Sequence, residues 1–187
     1  MPAVPGRIPL PRSTTPTTNV ENVSGTTGPV LARSTPVSVT IPSIQVQSPL
    51  QSLGLNADGS IAVPQPGPHY DEAAWYKYSP TPGQLGPAVI EGHVDSAANG
   101  PSVFYKLGAL EPGSEIDVTR SDGTVAVFLI SGVRQYPKDA FPTNAVYGNT
   151  NFAALRLITC GGPFDAATGH YLNNTIVFAS LTSSHAS

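Results

Sequence analysis

The chain has 187 residues, 40% hydrophobic and only 11% charged, with nine basic residues against twelve acidic ones. That length suits one domain of common size, and a net charge of −3 argues against a nucleic-acid surface. Its single cysteine, Cys160, excludes an internal disulfide and any zinc cluster needing two thiolates, and the longest apolar run, Val125 to Ile130, is far too short to span a membrane.

Residues 1–36 hold seven prolines, seven threonines and three serines, with no aromatic residue and a single acid, Glu21. Such a stretch buries too little apolar surface to offset its chain entropy, so a disordered linker is expected there, a spacer holding the 37–187 domain off a surface. It shows no charged stretch followed by an apolar one, so no signal peptide is expected. Proline (20) and glycine (18) make up about a fifth of the chain, a balance that favours turn-rich β architecture over helix bundles.

In the body the hydrophobic period is mostly two. Ser38 to Val46 alternates around Val39, Ile41, Ile44 and Val46 and is interrupted by Pro42, which suits an edge strand. Ala57-Asp58-Gly59-Ser60 is a turn signal before a short Ile61–Val63 strand. Asp71 to Tyr78, with acids at its start, is the first plausible helical turn. Ala88-Val89-Ile90 reads as a buried strand. Glu115 to Arg120 alternates strictly, and Ser121-Asp122-Gly123 turns it into Thr124 to Ser131, the clearest hairpin in the chain. Leu155 to Cys160 and Thr175 to Ala179 are two more apolar strands. About eight strands and two or three short helices predict an all-β fold, a closed or nearly closed barrel.

Two strands end in residues able to do chemistry. Cys160 closes Leu155–Thr159 and is followed by Gly161-Gly162-Pro163, a turn that would set the thiol at a barrel rim with backbone free to approach a ligand. His93 follows Ala88–Ile90 and a glycine. A lone cysteine is most often a buried apolar residue, and a lone histidine a hydrogen-bonded one. Together they are the minimum set for thiol acyl transfer, because a neighbouring imidazolium favours thiolate and an imidazole can protonate a leaving amine. His69, His93, His170 and Asp95 lack metal-ligand spacing, so no metal and no cofactor are expected.

Gly92-His93-Val94-Asp95-Ser96, with Gly100-Pro101 and Phe104-Tyr105-Lys106-Leu107 beyond it, resembles the histidine segment of sortases, the cysteine transpeptidases of Gram-positive cell surfaces. Leu157-Ile158-Thr159-Cys160-Gly161-Gly162 resembles their cysteine motif, about 67 residues further on. Tyr136-Pro137-Lys138, Phe141-Pro142-Thr143 and the closing Tyr171–Phe178 segment resemble the class F sortases of actinobacteria. The resemblance runs from about Val37 to Leu181. It implies an eight-stranded barrel and a membrane-held enzyme outside the cell, anchored through a segment upstream of this chain. It also implies cleavage of a Leu-Pro-X-Thr-Gly-type sorting signal through a thioester on Cys160. The acyl group would pass to a cell-wall peptidoglycan amine or to water, with His93 as general acid and base. Pro137 to Thr150 would form part of the substrate wall.

The sequence departs from the family at one place. Sortases use an arginine just before the apolar run that follows the cysteine loop, and here Leu172-Asn173-Asn174 stands before Thr175–Phe178. Asn174 and the more distant Arg134 are the candidates for that oxyanion or substrate-positioning role. Arg156 lies four strand residues from Cys160, roughly 13 Å along the same strand, and is too far. The missing arginine motivates a second hypothesis, a catalytically silent sortase-like barrel serving as a surface binding or structural module. Another thiol acyl-transferase of cell-wall peptides is a third.

Overall fold

The alternation read from the sequence closes into a barrel. The computed structural model describes residues 25–187. Eight strands form the barrel wall: β1 (Pro36–Ile41), β2 (Val46–Leu53), β3 (Ala73–Tyr76), β4 (Gly86–Glu91), β7 (Glu115–Arg120), β8 (Thr124–Pro137), β9 (Ala153–Asp165) and β10 (His170–Ala186). Around the wall they run β1-β2-β3-β4-β9-β10-β8-β7, and β7 pairs with β1 to close it. Two short strands, β5 (Asp95–Ser96) and β6 (Gly100–Pro101), form a separate ribbon. The pairs β2–β3 and β4–β9 are parallel and the other pairs of the wall antiparallel. One short α-helix, α1 (Thr143–Tyr147), and three 3-10 turns complete the described structure.

Strand parity divides the apolar residues between two cores. Ala88 and Ile90 of β4 and Leu155 and Leu157 of β9 point inward, meeting Trp75, Phe104, Ile116 and Phe128. Val89, Ile158 and Ile176 point outward and are covered by Val146, with Phe141 and Tyr147 packed against them. The second core holds the 137–150 segment against the outer face of β9 and β10. Cys160 shares the outward parity of Ile158.

Three local expectations change. Asp71–Tyr78 is not a helical turn: its Ala73–Tyr76 part is β3, buried throughout, parallel to β2 and antiparallel to β4. Trp75 and Tyr76 have β-propensity, and pairing on both sides outweighs the dipole-favouring acids. Ser38–Val46 is not one edge strand. Pro42 opens a 3-10 turn that ends at Gln45, held at φ 59, and β1 before it is paired on both sides. Ile61 makes only an isolated bridge to Leu55, although the Asp58 turn forms, with its carboxylate accepting from the Ser60 N–H and hydroxyl.

Of the 36 residues expected to be a spacer, 1–24 lie outside the described residues. Residues 25–35 run along the barrel. The Thr27 N–H donates to the Asn151 carbonyl at 2.7 Å and the Leu31 N–H to the Gly83 carbonyl at 2.8 Å. Leu31 packs on the inner core from its rim, and the buried Arg120 guanidinium donates to the Ala32 carbonyl.

Candidate active site

Because β4 and β9 are parallel neighbours, both chains leave the wall at the same end of the barrel. His93 follows β4 by two residues and Cys160 lies near the outgoing end of β9. Gly92 makes the exit possible: a Cβ there would sit 2.7 Å from the Phe104 ring and from Val103. Its N–H still donates to the Ile158 carbonyl, and the Phe104 N–H donates to the carbonyl of His93 at 3.0 Å. The histidine backbone is thus tied to both sides of the rim.

The imidazole is held on two sides. Its ring stacks on Tyr70 with centroids 4.1 Å apart and planes within 4°. Nε2 lies 2.8 Å from the Pro64 carbonyl oxygen, which can only accept, so Nε2 carries a proton and Nδ1 is the nitrogen free to exchange one. Tyr70 donates to the Asp95 backbone carbonyl at 3.3 Å, and the Tyr171 hydroxyl donates to the Asp95 carboxylate. That bond is the main cause pushing the Tyr171 phenol up to about 12.

At Cys160 the register fixes the neighbours. Asn174 of β10 stands directly opposite it, and Tyr136 of β8 stands opposite Asn174. Asn174 is buried, at 4% exposure. The two glycines after the cysteine are required: a Cβ on Gly161 would fall 2.4 Å from Thr175 Oγ1, and Gly162 has φ +74 with Asn173 Nδ2 2.5 Å from its missing Cβ. Burial pushes the Cys160 thiol up, and the carboxyls of Glu91 and Asp95 add to the rise. The Lys138 charge pulls the other way.

Cys160 and His93 line one cleft of about 650 Å³, together with Tyr70, Asp95, Phe164 and Tyr171. The remaining sequence candidates fall elsewhere. Arg134 is exposed and lines a separate depression with Arg156 and Phe178. The Arg156 guanidinium is buried over the Phe178 ring at 4.8 Å and donates to the carbonyls of Ala145 and Leu155. No residue of 137–150 lines the cleft. Among the described residues no group of three or more His, Cys, Asp or Glu side chains is placed to hold a metal ion.

Sequence reasoning did not assign a role to Tyr70 or Pro64. Both come from a Pro-rich loop about 25 residues before His93, and no local pattern marks them.

The closed β-barrel thus sets a thiol and an imidazole in one cleft at its rim, the two groups that thiol acyl transfer requires. A family model described as a sortase domain matches residues 39–182, and the chain belongs to the sortase family. It is similar in fold to sortase A of Listeria monocytogenes, at 15% identity, covering 83% of this chain and 92% of that one, with a TM-score of 0.59. It is similar also to the SrtA sortase of Actinomyces oris (19% identity, 88% and 89% covered, TM-score 0.61) and to sortase C-1 of the same organism (16%, 78% and 73%, 0.60). No curated protein matches the sequence.

Proposed function

We propose that this protein is a cell-surface cysteine transpeptidase of class F type, cutting a Leu-Pro-X-Thr-Gly-type sorting signal and joining the released carboxyl group to a cell-wall amine. The single observation that carries this reading is the shared cleft of Cys160 and His93 at the common exit of two parallel strands. The class F assignment rests on the Tyr136-Pro137-Lys138 and Phe141-Pro142-Thr143 motifs, and placement outside the cell on membership of the family.

Thiolate Cys160 attacks the threonine carbonyl, and the Sγ–C bond forms as the carbonyl electron pair moves to oxygen. Collapse breaks the C–N bond, His93 gives the Nδ1 proton to the leaving amine, and a thioester remains. An incoming amine then loses its proton to the same nitrogen and displaces the sulfur. Water in place of the amine turns the reaction into hydrolysis. Asn174, buried opposite Cys160, is better placed than the exposed Arg134 to offer a donor to the oxyanion. Its amide N–H brings no charge.

The test is mass spectrometry after incubation with a sorting-signal peptide. The expected result is an acyl adduct on the wild type that is absent in Cys160→Ala. In His93→Ala, which keeps the fold, turnover is expected to be lost. No adduct and no hydrolysis by the wild type over long incubation would favour the silent-barrel hypothesis instead.

A further inference from the structure

We propose that the Asp95 carboxylate is the amine-binding group of the cleft, holding the ammonium of the incoming acceptor and, by the same path, that of the departing amine. The inference rests on the reading of Cys160 as an acyl-transfer nucleophile and deepens it, because it gives the second substrate a place.

Charge singles out Asp95. Among the described residues it is the one carboxylate lining the cleft, and no lysine or arginine lines it. Nor does any described cation form an ion pair with Asp95. A half-buried carboxylate without a counter-cation, set in a concave site, attracts cations and repels anions. The attacked threonine carbonyl is neutral, whereas an aliphatic amine is an ammonium near neutral pH. The carboxylate therefore favours an amine over the water that competes for the same thioester.

Three neighbouring segments hold Asp95 in place beside the base. It lies two residues beyond His93 and pairs with Pro101 in the β5–β6 ribbon, where the Ser102 N–H donates to the Val94 carbonyl at 2.9 Å. Tyr70 stacks its ring on His93 and donates its hydroxyl to the Asp95 carbonyl at 3.3 Å, so one side chain spans both residues. From the other side comes Tyr171, which stands opposite Phe164 on the strand that carries Cys160. Its hydroxyl donates to Asp95 Oδ2. Among the described residues no hydrogen bond engages Oδ1, so that oxygen is left to accept an N–H.

The leaving nitrogen takes one proton from His93 Nδ1 and a second from solvent, and departs as an ammonium past Asp95. The acceptor reverses that order. Its ammonium sheds one proton to solvent and keeps an N–H on the carboxylate while its lone pair turns to the thioester. The C–N bond forms, the surplus proton passes to Nδ1, and the S–C bond breaks to return the thiolate. Asp95 stays ionised throughout. It meets the acceptor before attack as well as during it, so it acts on the acceptor KM more than on kcat. Its charge opposes the Cys160 thiolate, and a bound ammonium offsets that opposition.

The experiment loads Cys160 of the full chain with the sorting-signal peptide and reads the ratio of aminolysis to hydrolysis. A general loss of activity does not move that ratio. One acceptor is N-acetyl-lysine amide, cationic at neutral pH; the other is hydroxylamine, largely uncharged there. Asp95→Asn keeps the size of the side chain and can still accept from Tyr171. With the lysine acceptor its ratio is expected to fall about tenfold through a higher acceptor KM, and with hydroxylamine by no more than about twofold. Asp95→Glu, which keeps the charge, should retain most of the lysine ratio. Equal lysine ratios in wild type and Asp95→Asn would overturn the proposal. An equal fall with both nucleophiles would overturn it too, because the carboxylate would then act only on the shape of the cleft. A nuclear magnetic resonance titration with N-acetyl-lysine amide alone needs no sorting signal. The Ser96 and Tyr171 amide signals should shift in the wild type and stay in place in Asp95→Asn. If the wild type forms no thioester, the transpeptidase reading fails and the titration decides: shifts that vanish in Asp95→Asn support the amine site, and a wild-type spectrum unmoved by the amine overturns it.

Discussion

Glu91 offers a direct measurement of what burial costs at this rim. It ends β4, pairs with Ala74 and Ile158, and is 6% exposed. Among the described residues it has no ion-pair partner. Burial pushes its carboxyl from the ordinary 4.5 up to about 8. Between those values the folded state holds a proton that the unfolded chain has released, so stability falls as pH rises. One pKa unit is about 1.4 kcal/mol, which sets a ceiling of about 5 kcal/mol on the loss between pH 4.5 and pH 9. For a domain of this size that is a fall of roughly 10–20 °C in melting temperature. Glu91→Gln keeps the shape and cannot ionise. Thermal melting across pH 5–9 should therefore show a stability advantage for the variant that grows with pH and is greatest above pH 8. Parallel wild-type and Glu91→Gln curves over that range would refute the reasoning.

Starting the chain at Pro36 instead of Gly25 removes Leu31 from the rim of the core and the Ala32 acceptor from the buried Arg120 guanidinium. A loss of at least ~2 kcal/mol is expected, read as a lower denaturation midpoint, and equal midpoints would show that residues 25–35 contribute nothing. Gly162→Ala forces a side chain into φ +74 with Asn173 2.5–2.8 Å away. It should lower the melting temperature by roughly 4–8 °C and slow Cys160 acylation, whereas unchanged melting would mean that the loop relaxes freely.

The strands with long alternation were legible because their inner faces are buried continuously: β7 and the start of β8 are the hairpin that Ser121-Asp122-Gly123 signals. Cys160 and His93 were legible because each ends an apolar run and carries a recognisable motif. Ala73–Tyr76 was not, since its strand character comes from β2 and β4, distant neighbours that four residues cannot announce. Composition alone misjudged residues 25–35, whose few apolar atoms matter less than their backbone bonds to Gly83 and Asn151. Tyr70 and Pro64 escaped for a similar reason: they act by stacking on and accepting from an imidazole that only the closed barrel brings to them.

The electrostatic balance around Cys160 opposes its thiolate. Burial disfavours the thiolate first, and Glu91 and Asp95 lie close enough to disfavour it further. Two features limit that opposition. Glu91 keeps its proton up to about pH 8, so it adds little negative charge at neutral pH. The Asp95 carboxylate, in turn, already accepts from Tyr171. Neither feature favours the thiolate; each only removes an obstacle. An uncharged donor such as Asn174 can stabilise an oxyanion, but without a net charge it has a weaker hold on the thiolate that precedes it. The buried arginine of β9 is spent on the carbonyl of Ala145 and the Phe178 ring, where it ties α1 to the outer face of the barrel.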